Sequence, residues 1–245
     1  MYNIDSNRKQ VRIMTLYGGI QFKDTGIAAN LRTMHLDSEL MGIINDNING
    51  FDKIGYQRKE AVVSSFSSII GVHALSISKD DTVGRLDMTQ NPLDLALSEK
   101  GYFQVEGPEG VKAVRDGRFK LDVDGNLLTL DGSRVLANNG MPIVFPFAPR
   151  KLEDIKVNKN GDIRVFNDKT YKLEYVATLS VVTDKGLAVV EPGVIQGYNE
   201  ASNINFNSEV LELVGIRRNF EANRKMFILQ NSNLRKAIQE LGSAS

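Results

Sequence analysis

Two stretches with a helical period enclose a longer stretch that lacks one. Near the N-terminus, Ile27, Leu31, Met34, Ser38, Met41, Asn45 and Ile48 step by fours and threes, the spacing of a helix that lays one narrow seam on a partner. Asp24 and Thr25 stand where caps belong, and Asn45, Asp46, Asn47, Asn49 and Gly50 close the run. Toward the C-terminus Leu213, Ile216, Phe220, Asn223, Phe227, Gln230 and Leu234 repeat the stepping, with Ile238 and Leu241 beyond. Ser208 or Asn207 is the expected cap and Gly242 the expected stop. From Ser208 to Leu241 this helix spans about 50 Å at 1.5 Å per residue. A narrow seam buries little in a lone chain. The spacing therefore predicts two long terminal helices that pair with each other or with copies of themselves, and that order on polymerisation.

Between them the period changes. Tyr102-Phe103-Gln104-Val105, Arg118 to Leu121, Asn126 to Leu130, Ile163 to Phe166 and Tyr171 to Val182 are strand-like. Asp116-Gly117, Asp124-Gly125, Asp131-Gly132, Asn139-Gly140 and Asn160-Gly161 supply hairpin turns. All six prolines fall in this middle part, as expected where the ends are helical and the centre is not. The fold expected is mostly β with α: an antiparallel β sandwich or barrel-like central domain flanked by long N- and C-terminal helices that pair. The segments are 1–68 (helical, ending in the polar joint Ser64, Ser65, Ser67 and Ser68), 69–203 (β) and 204–245 (helical).

Composition narrows the chemistry. Thirty Lys+Arg balance thirty Asp+Glu over 245 residues, so no bulk charge points to nucleic acid or to an anionic membrane. With no Cys there is no thiolate nucleophile and no zinc–sulfur site. His35 and His73 are the only histidines, too few for His-based metal or acid–base sites. Asp122-x-Asp124-Gly125-Asn126 has a misplaced Gly and Ser133 at position twelve of a calcium loop, so a hairpin turn is expected. Glu106 and Glu109 around Pro108 form a polar turn rather than a hydrolytic carboxylate pair. No phosphate-binding or nucleophile-elbow motif occurs. Neither a transmembrane stretch nor an ordinary secretory signal is expected. The expectation is a non-enzyme without cofactor or metal.

Asn91-Pro92-Leu93-Asp94-Leu95-Ala96-Leu97 followed by Gly101-Tyr102-Phe103-Gln104-Val105 resembles the N-P-L-D…G-F-F-x-V signature of the flagellar basal-body rod and hook proteins. Arg115 to Phe119 and Asp124 to Thr129 resemble that family's next two motifs. Ile44 to Gly50 with Gly55-Tyr56-Gln57-Arg58 is similar to its N-terminal motif. Ser202-Asn203-Ile204-Asn205 with Arg217 to Asn223 is similar to its C-terminal one. The order of the motifs also matches.

The resemblance implies a longer rod subunit, proximal or distal; the stretch from Phe66 to Asn91 is short for the distal type. It implies an axial protein whose terminal helices build an inner tube, whose β domain forms the wall, and which transmits torque. Export through the flagellar type III apparatus, without a cleavable signal, would place it in the periplasmic rod. The implied partners are copies of itself and other flagellar axial proteins, with outer rings or an export chaperone as further candidates. Neither nucleic acid nor membrane insertion is implied. Assembly residues carried by the motifs are Asn47, Gly55, Arg58, Asn91, Pro92, Leu93, Asp94, Gly101, Phe103, Ser202, Asn203, Arg218, Phe220, Glu221, Ala222, Asn223 and Phe227. The NPLD run is expected to fix the chain's entry into the β body, Pro92 by setting φ and Asp94 by accepting N–H bonds. The alternatives are a hook or hook-associated axial protein and, from other classes, a secreted peptidoglycan-acting enzyme or a monomeric binding module. Muropeptide release would mark the enzyme; self-association unchanged by trimming the tails would mark the module.

Overall fold

The computed structural model describes residues 26–63, 75–147 and 149–243. The expected caps Asp24 and Thr25, the serine joint and His73 lie outside the described residues. About a third of the chain is helix and a third strand, so the architecture is mixed α and β rather than mostly β.

Helix α1 spans Gly26–Gly50 and helix α2 Phe206–Ser243. Between them run β1 (Lys59–Val63), β2 (Leu75–Lys79), β3 (Leu86–Met88), β4 (Leu95–Leu97), β5 (Tyr102–Gly107), β6 (Gly110–Val114), β7 (Phe119–Leu121), β8 (Leu127–Thr129) and β9 (Arg134–Val135). A 3-10 turn at Leu152–Asp154 leads into β10 (Ile155–Val157), β11 (Asp162–Asn167), β12 (Lys172–Thr178), β13 (Val181–Val182), β14 (Val194–Gln196) and β15 (Tyr198–Glu200). Every named pairing is antiparallel. The strands make a six-stranded sheet ordered β13-β5-β9-β8-β7 with β6 beside β5, a three-stranded sheet β10-β11-β12, and the pairs β1-β2, β14-β4 and β15-β3. These sheets stay open, so the barrel-like closure expected from the strand spacing is not found. Many of the strands are only two or three residues long, too short to curl one ladder into a closed wall.

The two larger sheets share one apolar core. Phe103, Val105, Phe119, Leu127 and Val135 from the first meet Ile155, Ile163 and Val165 from the second, with Leu97 and Val194 among them. Phe103 and Phe119 pack edge to face with centroids 5.3 Å apart, the arrangement that ring quadrupoles favour. Four of the five expected turn glycines, Gly125, Gly132, Gly140 and Gly161, have positive φ. Gly117 does not and sits in no hairpin. Its missing side chain instead lets the backbone pass Leu95, whose carbonyl oxygen would lie 1.7 Å from a Cβ.

The chain divides into two compact units, Met1–Glu39 with Ile216–Ser245, and Leu40–Gly215. In α2 the half-buried line is Leu213, Ile216, Phe220, Asn223, Phe227 and Gln230, as the spacing predicts, while Leu234, Ile238 and Leu241 are exposed. The cap differs: Asn205 Oδ1 accepts the Ser208 N–H at 3.2 Å, so the helix begins before Ser208 and Asn207, and Gly242 lies inside it. In α1 the expected seam holds only in part: Ile27, Met34, Met41 and Ile48 are half-buried. Leu31, Ser38 and Asn45 are exposed, whereas Asp37, Ile43, Ile44 and Asn47 are buried. Polar residues with hydrogen-bond partners occupy the buried line, which a count of apolar positions passes over.

Candidate assembly junction

Within Leu40–Gly215, the end of α1, the start of β1 and the start of α2 converge on a polar cluster. Asn47, 1% exposed, spends its whole carboxamide there. Its Nδ2 donates to the Lys59 carbonyl (2.9 Å) and to Glu209 Oε2 (3.1 Å). Its Oδ1 accepts the Lys59 N–H (2.9 Å) and the Tyr56 hydroxyl (3.4 Å). By bonding both backbone groups of Lys59, Asn47 stands in for a neighbouring strand residue at the edge of β1. Glu209, also 1% exposed, accepts Arg58 Nε at 2.5 Å on its other oxygen. Arg58 extends to Glu60 (2.7 Å) and Glu212 (3.3 Å). The hydrogen bond to Glu209 holds the Arg58 guanidinium above its usual range.

Asn203 ties the returning chain to the same place. Its Oδ1 accepts the Arg58 N–H at 2.7 Å, and its Nδ2 donates to the carbonyls of Asp80 (2.9 Å) and Thr82 (3.0 Å). Ser202 is local, its hydroxyl accepting the Ile204 N–H at 3.3 Å. Phe51, just past α1, and Phe206, opening α2, have ring centroids 5.4 Å apart.

A second polar group anchors the β body. Arg115 and Glu200 form an ion pair at 2.5 Å with both side chains at most 3% exposed. Arg115 also donates to the carbonyls of Leu97, Glu99 and Gly101, so its burial leaves its guanidinium well satisfied. The Glu200 carbonyl accepts the Gly55 N–H at 2.7 Å. Gly55 has φ +67°, and a Cβ there would sit 2.5 Å from the Asp116 nitrogen, so both conformation and space require glycine. Nearby, the Tyr102 hydroxyl donates toward Gln57 Oε1 (2.5 Å) and Asp81 Oδ1 (3.1 Å). Burial pushes this phenol up to about 12.

Asn91-Pro92-Leu93-Asp94 forms a turn in which Asn91 Nδ2 donates to Asp94 Oδ1 (2.8 Å) and the Asp94 N–H to the Asn91 carbonyl (3.0 Å). The backbones of Leu93 and Asp94 then accept from Phe119 (3.1 Å) and Gly197 (2.7 Å). Gln196 Nε2 clamps the Pro92 carbonyl at 2.8 Å. Leu93 and Phe103 enter the core, and Gly101 lies against Val181.

The junction therefore gathers Asn47, Arg58 and Asn203, while Gly55 belongs to the Arg115–Glu200 group. Arg218, Phe220, Glu221, Ala222, Asn223 and Phe227 lie elsewhere, along α2. Phe220, Asn223 and Phe227 are on its half-buried line and Arg218, Glu221 and Ala222 on its exposed side. Sequence reasoning missed Glu209 and Glu200. An acid in the first turn, four residues past the capping Asn205, is a usable signal for Glu209, but nothing local marks Glu200. The Asp122 carboxylate accepts backbone N–H groups of Asp124 (2.9 Å) and Asn126 (2.7 Å) and Asn126 Nδ2 (2.8 Å). The side-chain bond from Asn126 holds it below the usual carboxylate range. Glu109 pairs with Lys112 at 2.8 Å, and exposed His35 with Glu39 at 3.2 Å. What the junction can do is hold chain segments together.

A family profile described as the flagellar hook protein FlgE/F/G D1 domain matches residues 96–165. A second, the flagellar basal body rod FlgEFG protein C-terminal, matches residues 195–240. Together the two matches support a flagellar basal-body rod protein family for this chain. Among its curated relatives, flagellar basal-body rod protein FlgF of Mesorhizobium japonicum is 27% identical over 224 residues, covering 82% of this chain and 91% of the relative. FlgF of Rhizobium meliloti is 26% identical over 242 residues, covering 90% and 99%. FlgG of Caulobacter vibrioides is 26% identical over 247 residues, covering 80% and 92%. The two rod-family profiles map onto the β body and onto α2. Glu200, Asn203 and Glu209 fall in the second, and the Phe103–Phe119 core in the first.

Proposed function

We propose that this rod-family chain is a structural axial subunit of the flagellar basal-body rod, assembling with copies of itself and with other axial proteins and carrying torque by packing rather than by chemistry. The terminal helices pair along their length and order fully in the polymer, and the β body forms the outer wall. The subunit works in the periplasmic rod, is exported without a cleavable signal, and has outer rings and an export chaperone as further candidate contacts.

One observation carries the reading. Helix α2 exposes large apolar side chains on every side: Leu211, Met226, Ile228 and Leu229, and, continuing its seam, Leu234, Ile238 and Leu241. Interleaved with the helix's exposed charged residues, these side chains leave apolar surface for a partner to cover, and copies arranged head to tail cover it without closing a ring. Electron microscopy of basal bodies carrying a tag inserted at Asp131-Gly132 tests the proposal. Label along the rod is expected. Label confined to the hook or filament, or absent from the basal body, overturns it.

A further inference from the structure

Two polar contacts cross between α1 and α2 inside the unit formed by Met1–Glu39 and Ile216–Ser245. Asn30 Nδ2 donates to Gln230 Oε1 at 3.0 Å, and Asn223 Nδ2 to Asp37 Oδ2 at 3.3 Å. The four residues are seven apart on each helix and run in opposite order, Asn30 to Asp37 against Gln230 to Asn223. Seven residues return a helix to the same side, so the contacts are two rungs of one antiparallel seam. Asp37 is buried, at 6% exposed, and its partners are half-buried. Gly26 lies beyond the outer rung, and a Cβ there would sit 2.8 Å from Gln230 Nε2.

Polar rungs are a poor way to gain stability in an apolar seam, but they tell one alignment from another. The rest of the seam cannot. Met34, Phe220 and Phe227 are interchangeable apolar fillers, and a slide by one heptad would still bring apolar residues together. A slide in one direction sets the Asp37 carboxylate against Ile216. A slide in the other sets Asn30 against Ala237. The first leaves the buried Asp37 carboxylate without its partner, which costs far more than the rung contributes; the second leaves the half-buried Asn30 amide without one.

We infer that Asn30–Gln230 and Asp37–Asn223 form a two-rung key that fixes the antiparallel register of the terminal helices and so selects the helix each will accept as a partner. This rests on the helix pairing proposed above. The key fits an antiparallel helix presenting an amide and a carboxylate one heptad apart. It discriminates against a second α2 lying parallel and against α1 displaced by a heptad.

The chain has no cysteine, so introduced pairs report register directly in the full-length protein. Met34→Cys with Phe227→Cys reports the native register, and Met34→Cys with Phe220→Cys the slipped one. With the rungs intact, the native-register disulfide should exceed the slipped one by about tenfold or more, the ratio set by leaving a buried polar group unpaired. Replacing all four rung residues by Leu should bring the two yields within about threefold without lowering the helix melting temperature. Exchanging the inner rung, Asp37→Asn with Asn223→Asp, should keep the native preference. A preference that survives the four Leu substitutions overturns the key, and so does a loss of helix melting temperature in that variant. Comparable yields of both disulfides with the rungs intact overturn it too. Neither disulfide forming would instead refute the pairing on which the key depends.

Discussion

Arg58 Nε and Glu209 Oε1 meet at 2.5 Å across 151 residues of sequence, and the whole β body is strung between them. Loop-closure cost grows only as the logarithm of length. What limits such a tie is therefore how well its polar groups are satisfied rather than how long the loop is. Asn47 on the second carboxylate oxygen and Asn203 on the Arg58 backbone make the tie a four-segment knot. The end of α1, the start of β1, the returning chain and the first turn of α2 enter it together.

Glu209→Ala leaves one of the two Asn47 Nδ2 hydrogens without an acceptor and deprives Arg58 of its best partner. Because the Arg58 side chain is 27% exposed, water recovers part of the loss, and a destabilisation of about 2–3 kcal/mol is expected. Replacing both Arg58 and Glu209 by Met should cost less than either single truncation, because no charge is then left behind. Urea midpoints of the three variants check the order. A double variant as unstable as the sum of the singles would mean that the pair does not act as a unit.

Glycine requirements separate into space and conformation. Gly117→Ala must displace the Leu95 carbonyl, which leaves no room for a Cβ, and should cost about 3 kcal/mol or more. Gly132→Ala meets nothing within 4 Å and pays only for φ +89°, about 1 kcal/mol. Thermal melting of the two variants should rank them in that order, although only Gly132 lies in a hairpin turn.

The same contrast explains what the sequence disclosed. Asp116-Gly117 has the composition of a turn, but its glycine answers to a carbonyl that only the fold brings there. The α2 seam from Leu213 to Gln230 was legible because apolar residues carry most of it at an unbroken spacing. The α1 seam was legible only at Ile27, Met34, Met41 and Ile48, because Asn30, Asp37 and Asn47 also face partners, several of them far along the chain. Asn47, Arg58 and Asn203 were recoverable from their motifs. Glu209, the acceptor that Asn47 and Arg58 share, and the Glu200 that neutralises Arg115 belong to contacts of long sequence separation that no local spacing encodes. Open rather than closed sheets likewise depend on which of many short strands pair.

Tyr102 gives the β body an alkaline limb. Its folded pKa, raised by burial to about 12 from 10.0, means that the folded state favours the neutral phenol. The stabilisation is complete below pH 10 and disappears as pH rises from 10 toward 12. In an ultraviolet titration the Tyr102 phenol should ionise well above pH 10, together with loss of β structure. Tyr102→Phe should shift base-induced unfolding to higher pH while costing about 1 kcal/mol at neutrality for the lost contacts to Gln57 and Asp81. Unfolding at unchanged pH in that variant would place the alkaline sensitivity elsewhere.

Ile238 and Phe220 lie on one line of α2 but differ in cover: Ile238 is 60% exposed and Phe220 half-buried. Ile238→Asp places a charge where the monomer has water, so monomer stability should change by no more than about 0.5 kcal/mol. In the polymer the same carboxylate would have to be buried without a partner, at a cost of several kcal/mol per subunit. Phe220→Asp should damage both the monomer's helical signal and assembly, with the β body still folded. Circular dichroism of the monomers, together with rod formation and swimming in cells carrying each variant, separates the two effects. Rods that form normally with Ile238→Asp would show that the far end of α2 stays in water. The subunit contacts would then have to be sought on the β body instead.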